Sequence, residues 1–143
     1  MKTDEITVTV TTDKTMKNSF LTTLIWSSSD EDGEPYDNDY CISDIENHQI
    51  VDDIINRFIL AVESDPILIS IDNITALTGN DSDRIMHDLC LTINQHGAGF
   101  WDGDYSSDAI GSGIIGDLLT AISHQFNEIY LFENDGKLTI ENC

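Results

Sequence analysis

The chain is expected to fold as an α+β domain, an antiparallel sheet of three to four strands with helices packed on one face. Three observations lead there. From Ile45 to Val62 apolar residues recur every three or four positions, as an amphipathic helix requires. Ile110, Ile114, Leu118, Ile122 and Phe126 repeat the pattern later. The other apolar runs are short and rich in β-branched or aromatic residues, and Asp135-Gly136 joins the last two with a dipeptide suited to a tight hairpin turn. No repeat, linker or low-complexity tail interrupts the sequence, so residues 1–143 are expected to form a single domain.

Taken in order, Ile6 to Thr11 alternates apolar and polar with period two and is predicted to be a strand. Phe20, Leu21, Leu24 and Ile25 then recur at helical spacing, giving a short helix from Met16 to Ser27. Residues 27–40 are polar, acidic and broken by Gly33 and Pro35, so they read as a solvated loop with nothing to offer a core. Ser43 with Glu46 has the form of a capping box, and the helix it opens should run to about Glu63, where Asp65-Pro66 stops it. Its buried stripe is Ile45, Val51, Ile54, Ile55, Phe58, Ala61 and Val62, with His48 solvated on its flank. Asp72 or Asn73 is expected to cap a short helix ending at Gly79. Arg84 to Ile93 is read as a strand, Ile110 to Phe126 as a helix, and Glu128 to Ile140 as the hairpin.

One stretch gathers more chemistry than any other. His87 to Tyr105 holds two histidines, two large aromatic residues, several carboxylates, and Gly97, Gly99 and Gly103. Phe100 and Trp101 are too apolar to be left in water, so the loop should fold back onto the body of the protein. Gly111, Gly113 and Gly116 weaken the following helix by about 1 kcal/mol each relative to alanine, which fits a close approach of this loop. Two readings of the stretch stand side by side. In one, His87 satisfies a buried polar group. In the other, His87, Asp88, His96, Asp102 and Asp104 converge as a metal or acid–base site. Asp30, Asp32, Gly33 and Glu34 faintly resemble a calcium loop but miss its spacing, so a solvated acidic loop is preferred.

Charge is the strongest global feature. There are 27 Asp and Glu against 6 Lys and Arg, a formal net charge of −21. No basic residue lies between Lys17 and Arg57, or between Arg84 and Lys137. Such a chain carries the cost of self-repulsion. It lacks the cations that a phosphate backbone requires, which excludes nucleic acid as a direct ligand. A protein that itself binds nucleic acid is the natural partner, and a homodimer is allowed. No apolar run approaches the roughly 18 residues that cross a membrane. The N-terminus has no apolar signal core. Cys41, Cys90 and Cys143 are scattered, with no CxxC pair, which fits a reducing cytoplasm and neither a disulfide framework nor a zinc site.

Three segments carry a resemblance. Leu24-Ile25-Trp26-Ser27-Ser28-Ser29-Asp30-Glu31-Asp32-Gly33-Glu34-Pro35 resembles the opening motif of a family of small acidic phage and prophage proteins. His87-Asp88-Leu89-Cys90-Leu91-Thr92 with His96-Gly97-Ala98-Gly99-Phe100-Trp101-Asp102 resembles its central motif. Tyr130-Leu131-Phe132 with Asp135-Gly136-Lys137 resembles its closing hairpin. The chain departs from the family at Leu89-Cys90, where relatives carry an aromatic pair, and at Ile93, where they carry a basic residue. The resemblance implies phage origin more than a function.

Small acidic phage proteins recurrently imitate DNA, because carboxylates on a rigid surface present a basic groove with the charge it expects from phosphates. The expectation is therefore an inhibitor of a host DNA-binding enzyme, serving anti-defence in the host cytoplasm, with no catalytic residue, cofactor or metal. Asp30, Glu31, Asp32, Glu34, Asp37, Asp39, Asp44, Glu46, Asp52 and Asp53 are the candidate partner-binding surface. His87, Asp88, His96, Gly97, Gly99, Phe100, Trp101 and Asp102 form the second candidate set, structural or functional. The alternatives are a metal-dependent enzyme or binder at the His87/His96 loop, and a structural or regulatory phage protein whose acidity serves only solubility.

Overall fold

The computed structural model describes residues 15–29, 32–94, 99–100, 105 and 114–142. The strand expected at Ile6–Thr11 lies outside them. Among the described residues are the helices α1 (15–26), α2 (His48–Ser64), α3 (Ile71–Thr78), α4 (Ser82–Ile93) and α5 (Ile114–Ser123). The strands are β1 (Ile45–Glu46), β2 (Ile129–Asn134) and β3 (Lys137–Asn142). The fold is α+β, as expected. The sheet is mixed rather than wholly antiparallel: its order is β1-β3-β2, with β2 antiparallel and β1 parallel to β3.

The helices expected from periodicity are present. α1 buries Met16, Phe20, Leu21, Leu24 and Ile25. α2 buries Val51, Ile54, Ile55, Phe58 and Val62, the i, i+3, i+4, i+7 stripe of an amphipathic helix, while Ala61 is only half-buried. Burying one side chain of this size contributes roughly 1.5–3 kcal/mol. Three boundaries differ, one being α5, which ends at Ser123 rather than Phe126. α2 begins at His48, not Ser43, because Asn47 adopts φ +62° and Ile45–Glu46 leave the helix to pair with Leu138 and Thr139. Asp44 instead reaches back to the Cys41 amide at 2.9 Å and closes a 3₁₀ turn over Ile42–Asp44. α3 is capped by Ser70, whose hydroxyl accepts from the Asn73 amide at 3.0 Å, and it ends at Gly79 with φ +82°.

The largest correction is at 84–93, read as a strand and found to be the body of α4. Asp81 caps it, accepting from the Arg84 amide at 2.9 Å. Much of its circumference is buried, yet Ile85, Leu89 and Ile93 recur every four residues with Met86 and Cys90 beside them, so the helical spacing is present in the sequence. The strand reading rests on Leu89, Leu91 and Ile93, which also alternate with a period of two, and so short a stretch fits either element.

The hairpin is as expected. Asp135 and Gly136, at φ +53° and +78°, close the two-residue turn. Ile129, Leu131, Leu138 and Ile140 face the core, and α2 packs against β3 on that side. Tyr130 and Phe132 point the other way, 44 % and 51 % exposed.

The acidic loop is better anchored than its composition suggests. Ser29 bridges Pro35, and the Tyr36 amide donates to the Ser28 carbonyl at 3.1 Å. The Tyr36 ring is buried, and its hydroxyl donates to the Leu131 carbonyl at 3.4 Å, so the segment does contribute to the core. Tyr40 packs beside it and donates to Glu133. That bond is the main reason the Tyr40 hydroxyl is pushed up to about 12.

One residue stores strain without a visible return. Ile69 holds φ +70° while 56 % exposed, a conformation that costs an L residue roughly 1–2 kcal/mol. Asn tolerates this region, and little burial would be lost. Ile69→Asn is expected to raise the unfolding free energy by roughly 0.5–1 kcal/mol, read as a higher urea midpoint at unchanged slope.

Candidate functional site

The segments that stand out in the sequence meet in space. His87, on α4, places Nδ1 2.9 Å from the Thr23 hydroxyl of α1, and its ring lies 5.8 Å from Trp26. The Thr23 hydroxyl also donates to the Ser19 carbonyl at 2.9 Å, which leaves its oxygen to accept from an Nδ1–H of His87. Thr22, Thr23, Arg84 and His87 border a shallow hollow of about 490 Å³.

Asp88, one helix position on, faces inward and is 1 % exposed. It accepts from the Tyr105 hydroxyl at 2.7 Å and from Arg84 Nε at 3.3 Å. Burial pushes its carboxyl above the ordinary value, and the Tyr105 and Arg84 contacts only partly oppose that. Thr92 donates to the Asp88 carbonyl at 2.7 Å and accepts from the Phe100 amide at 3.1 Å. Phe100 stacks on Phe58 with centroids 6.2 Å apart and meets the Tyr105 edge at 5.2 Å. Gly99 and Gly116 let this happen. A Cβ on Gly99 would collide with the Thr92 hydroxyl, and one on Gly116 would lie 2.7 Å from the Phe100 carbonyl. Asp88 and Thr92 therefore staple Gly99, Phe100 and Tyr105 onto α4, as expected of a loop that folds back.

His87 and Asp88 thus engage different partners. His96, Gly97, Trp101, Asp102 and Asp104, the other members of the proposed convergence and of its motif, lie outside the described residues. Among the described residues no group of three or more His, Cys, Asp or Glu is placed to hold a metal. His48 is not the solvated side chain expected: its Nε2 is shielded from water and has no hydrogen-bond partner among the described residues. Cys41 is exposed and Cys90 buried, and burial pushes the Cys90 thiol up.

The acidic set divides into three. Asp30 and Glu31 lie outside the described residues. Asp44, Asp52 and Asp53 are engaged locally. Asp44 holds the Cys41 amide, which is the main reason its carboxyl lies below the usual range. Asp52 binds Lys17 at 3.1 Å, and Asp53 binds Arg57 at 3.5 Å. Asp32, Glu34, Asp37, Asp39 and Glu46 are exposed. The cations of the described residues sit beside carboxylates already: Lys17 at Asp52, Arg57 at Asp53, Arg84 at Asp88, and Lys137 within electrostatic reach of Asp44. Of the five exposed carboxylates, Glu34 accepts from Asn38 Nδ2 at 3.3 Å.

Composition gave no hint of the residues beside this acidic segment. Tyr130 and Phe132 lie on the solvent face of the sheet, with Tyr36, Asp32 and Glu133 around them. The alternation of Ile129, Tyr130, Leu131 and Phe132 contains the signal, because only two of the four can face the core. No helix of the described residues is long and apolar enough to cross a membrane. No protein family, curated protein or solved structure matches the chain.

Proposed function

We propose that the chain is a phage-encoded inhibitor of a host DNA-binding enzyme, acting in the host cytoplasm by presenting carboxylates where that enzyme expects phosphates. It has no catalytic role in this reading. The observation that carries it is the exposed series Asp32, Glu34, Asp37, Asp39 and Glu46, in a stretch without a basic residue from Asn18 to Asn56. The loop that displays most of these groups is tied down through Tyr36 and Tyr40, so the charges sit on a pinned surface. Preorganised charge of one sign speeds encounter with an oppositely charged groove and disfavours wrong partners.

The test is capture of partners from bacterial lysate at low and high salt, with duplex DNA as competitor. Recovery of a DNA-handling enzyme that DNA and salt both displace supports the reading. Neutralising the five exposed carboxylates to Asn or Gln is expected to weaken that capture by roughly tenfold to a hundredfold. Unchanged capture in this variant, or no salt-sensitive partner at all, sinks it. The reading of His87 and His96 as a metal site has no supporting observation among the described residues.

A further inference from the structure

We propose that the outer edge of β2 is a docking groove for an extended, arginine-bearing segment of a partner protein. This deepens the inhibitor reading and rests on it for the partner's basic character. Two adjoining hollows, about 660 Å³ and about 210 Å³, share Ser29, Tyr130 and Leu131 and so run together along this edge. Among the described residues the strand order β1-β3-β2 leaves β2 without a neighbouring strand on that side, where the Ile129 amide donates to Asn94 at 2.9 Å. Ser29, Asp32 and Tyr36 line the opposite side, and the Tyr36 hydroxyl bonds across to the Leu131 carbonyl.

The lining selects the occupant. Tyr130 and Phe132 offer aromatic faces, which attract a guanidinium more than an ammonium. Asp32 and Glu133 supply carboxylates beside those rings, and Glu128 stands at the far end, held by the Tyr130 hydroxyl at 2.7 Å. Glu46 shares the open face of the sheet through its pairing with Thr139, itself opposite Phe132. A long, open, edge-strand groove suits an extended chain, whose alternate side chains fall on the same face. Aromatic anchors inside an acidic rim are the composition of an interface centre, where binding energy concentrates.

The experiment is an NMR titration of the full ¹⁵N-labelled chain with an Arg-Ser repeat peptide of eight residues, its Lys-Ser counterpart and a Glu-Ser control. Saturable shifts confined to Tyr130–Glu133 and Ser29–Tyr36, tighter for arginine than for lysine, are expected. Phe132→Ala should weaken arginine-peptide binding by roughly threefold to fivefold, and the exposure of this ring keeps the fold intact. Unsaturating shifts spread over Asp52 and Asp53 as well, equal for both basic peptides and indifferent to Phe132→Ala, overturn the groove. The two readings fail separately. Asn at Asp37 and Asp39, which do not line the groove, should weaken DNA-competed capture while leaving peptide binding unchanged. If Phe132→Ala leaves that capture intact, the inhibitor reading stands and the groove is not its docking site.

Discussion

Asp88→Ala is expected to cost roughly 2–3 kcal/mol of stability, because it removes a buried acceptor that serves both Tyr105 and Arg84. The discount for Arg84, whose side chain is 45 % exposed, keeps the figure below that of a fully buried ion pair. Urea denaturation measures the loss, and faster amide exchange at Phe100 would show that the staple of the loop has failed. A change under 0.5 kcal/mol would mean that the carboxylate holds nothing. Asp88→Asn keeps an acceptor for Tyr105 and isolates the charge. Burial raises the folded-state pKa of Asp88 above the ordinary 3.8, so the folded chain holds this proton more tightly than the unfolded one. The ionised group is then a cost, fully present at neutral pH. It is relieved as pH falls through the raised value and is gone below 3.8. From pH 7 to pH 4.5 the wild type should therefore gain stability relative to Asp88→Asn. Parallel pH curves for the two proteins would refute the sign.

Gly116→Ala is the second large effect, and its sign is diagnostic. In a helix this change ordinarily stabilises by about 1 kcal/mol. Here the new methyl group would sit 2.7 Å from the Phe100 carbonyl and 3.0 Å from the Tyr105 Cβ. Backbone cannot swing aside as a flexible side chain can, and overpacking of this kind costs roughly 1–3 kcal/mol. The net expectation is a loss of roughly 1–2 kcal/mol by chemical denaturation, with the near-ultraviolet signal of the aromatic cluster altered. A gain of the size helix propensity alone predicts would show that the loop does not press on α5.

These contacts also show what was legible in the sequence. Helices with one wet face announced themselves: α1, α2 and α5 follow their apolar stripes, and Asp-Gly marked the hairpin. α4 escaped because Leu89, Leu91 and Ile93 fit a period of two as well as Ile85, Leu89 and Ile93 fit a period of four, although Asp81 stood ready as its cap. β1 escaped for a different reason. Two residues have no period, and only their pairing with Leu138 and Thr139 makes them a strand. Ser43 and Glu46 matched a capping box, yet the distant pairing of β1 outweighed that local preference. The loop around Phe100 was legible as something folded inward, from its glycines and aromatic residues. Its anchors Thr92 and Tyr105 were not, since a polar residue in an apolar run gives no sign of its partner. The aromatic strip of β2 was written in alternation but carried no charge to draw attention to it.

The joining of β1 to the hairpin sets an order on folding. Asn47 donates to the Ile140 carbonyl, and the two residues are 93 positions apart in the chain. Closing a loop of that length carries an entropic cost that only the finished contacts repay. During synthesis the early helices can form turn by turn, but the mixed sheet has no template until Lys137–Asn142 have emerged. Until then Ile45 and the inner face of α2 lack their cover, and the acidic loop lacks the strand that pins Tyr36. The surface on which the proposed activity depends is therefore a late product of folding, assembled by contacts between residues 93 and 95 positions apart.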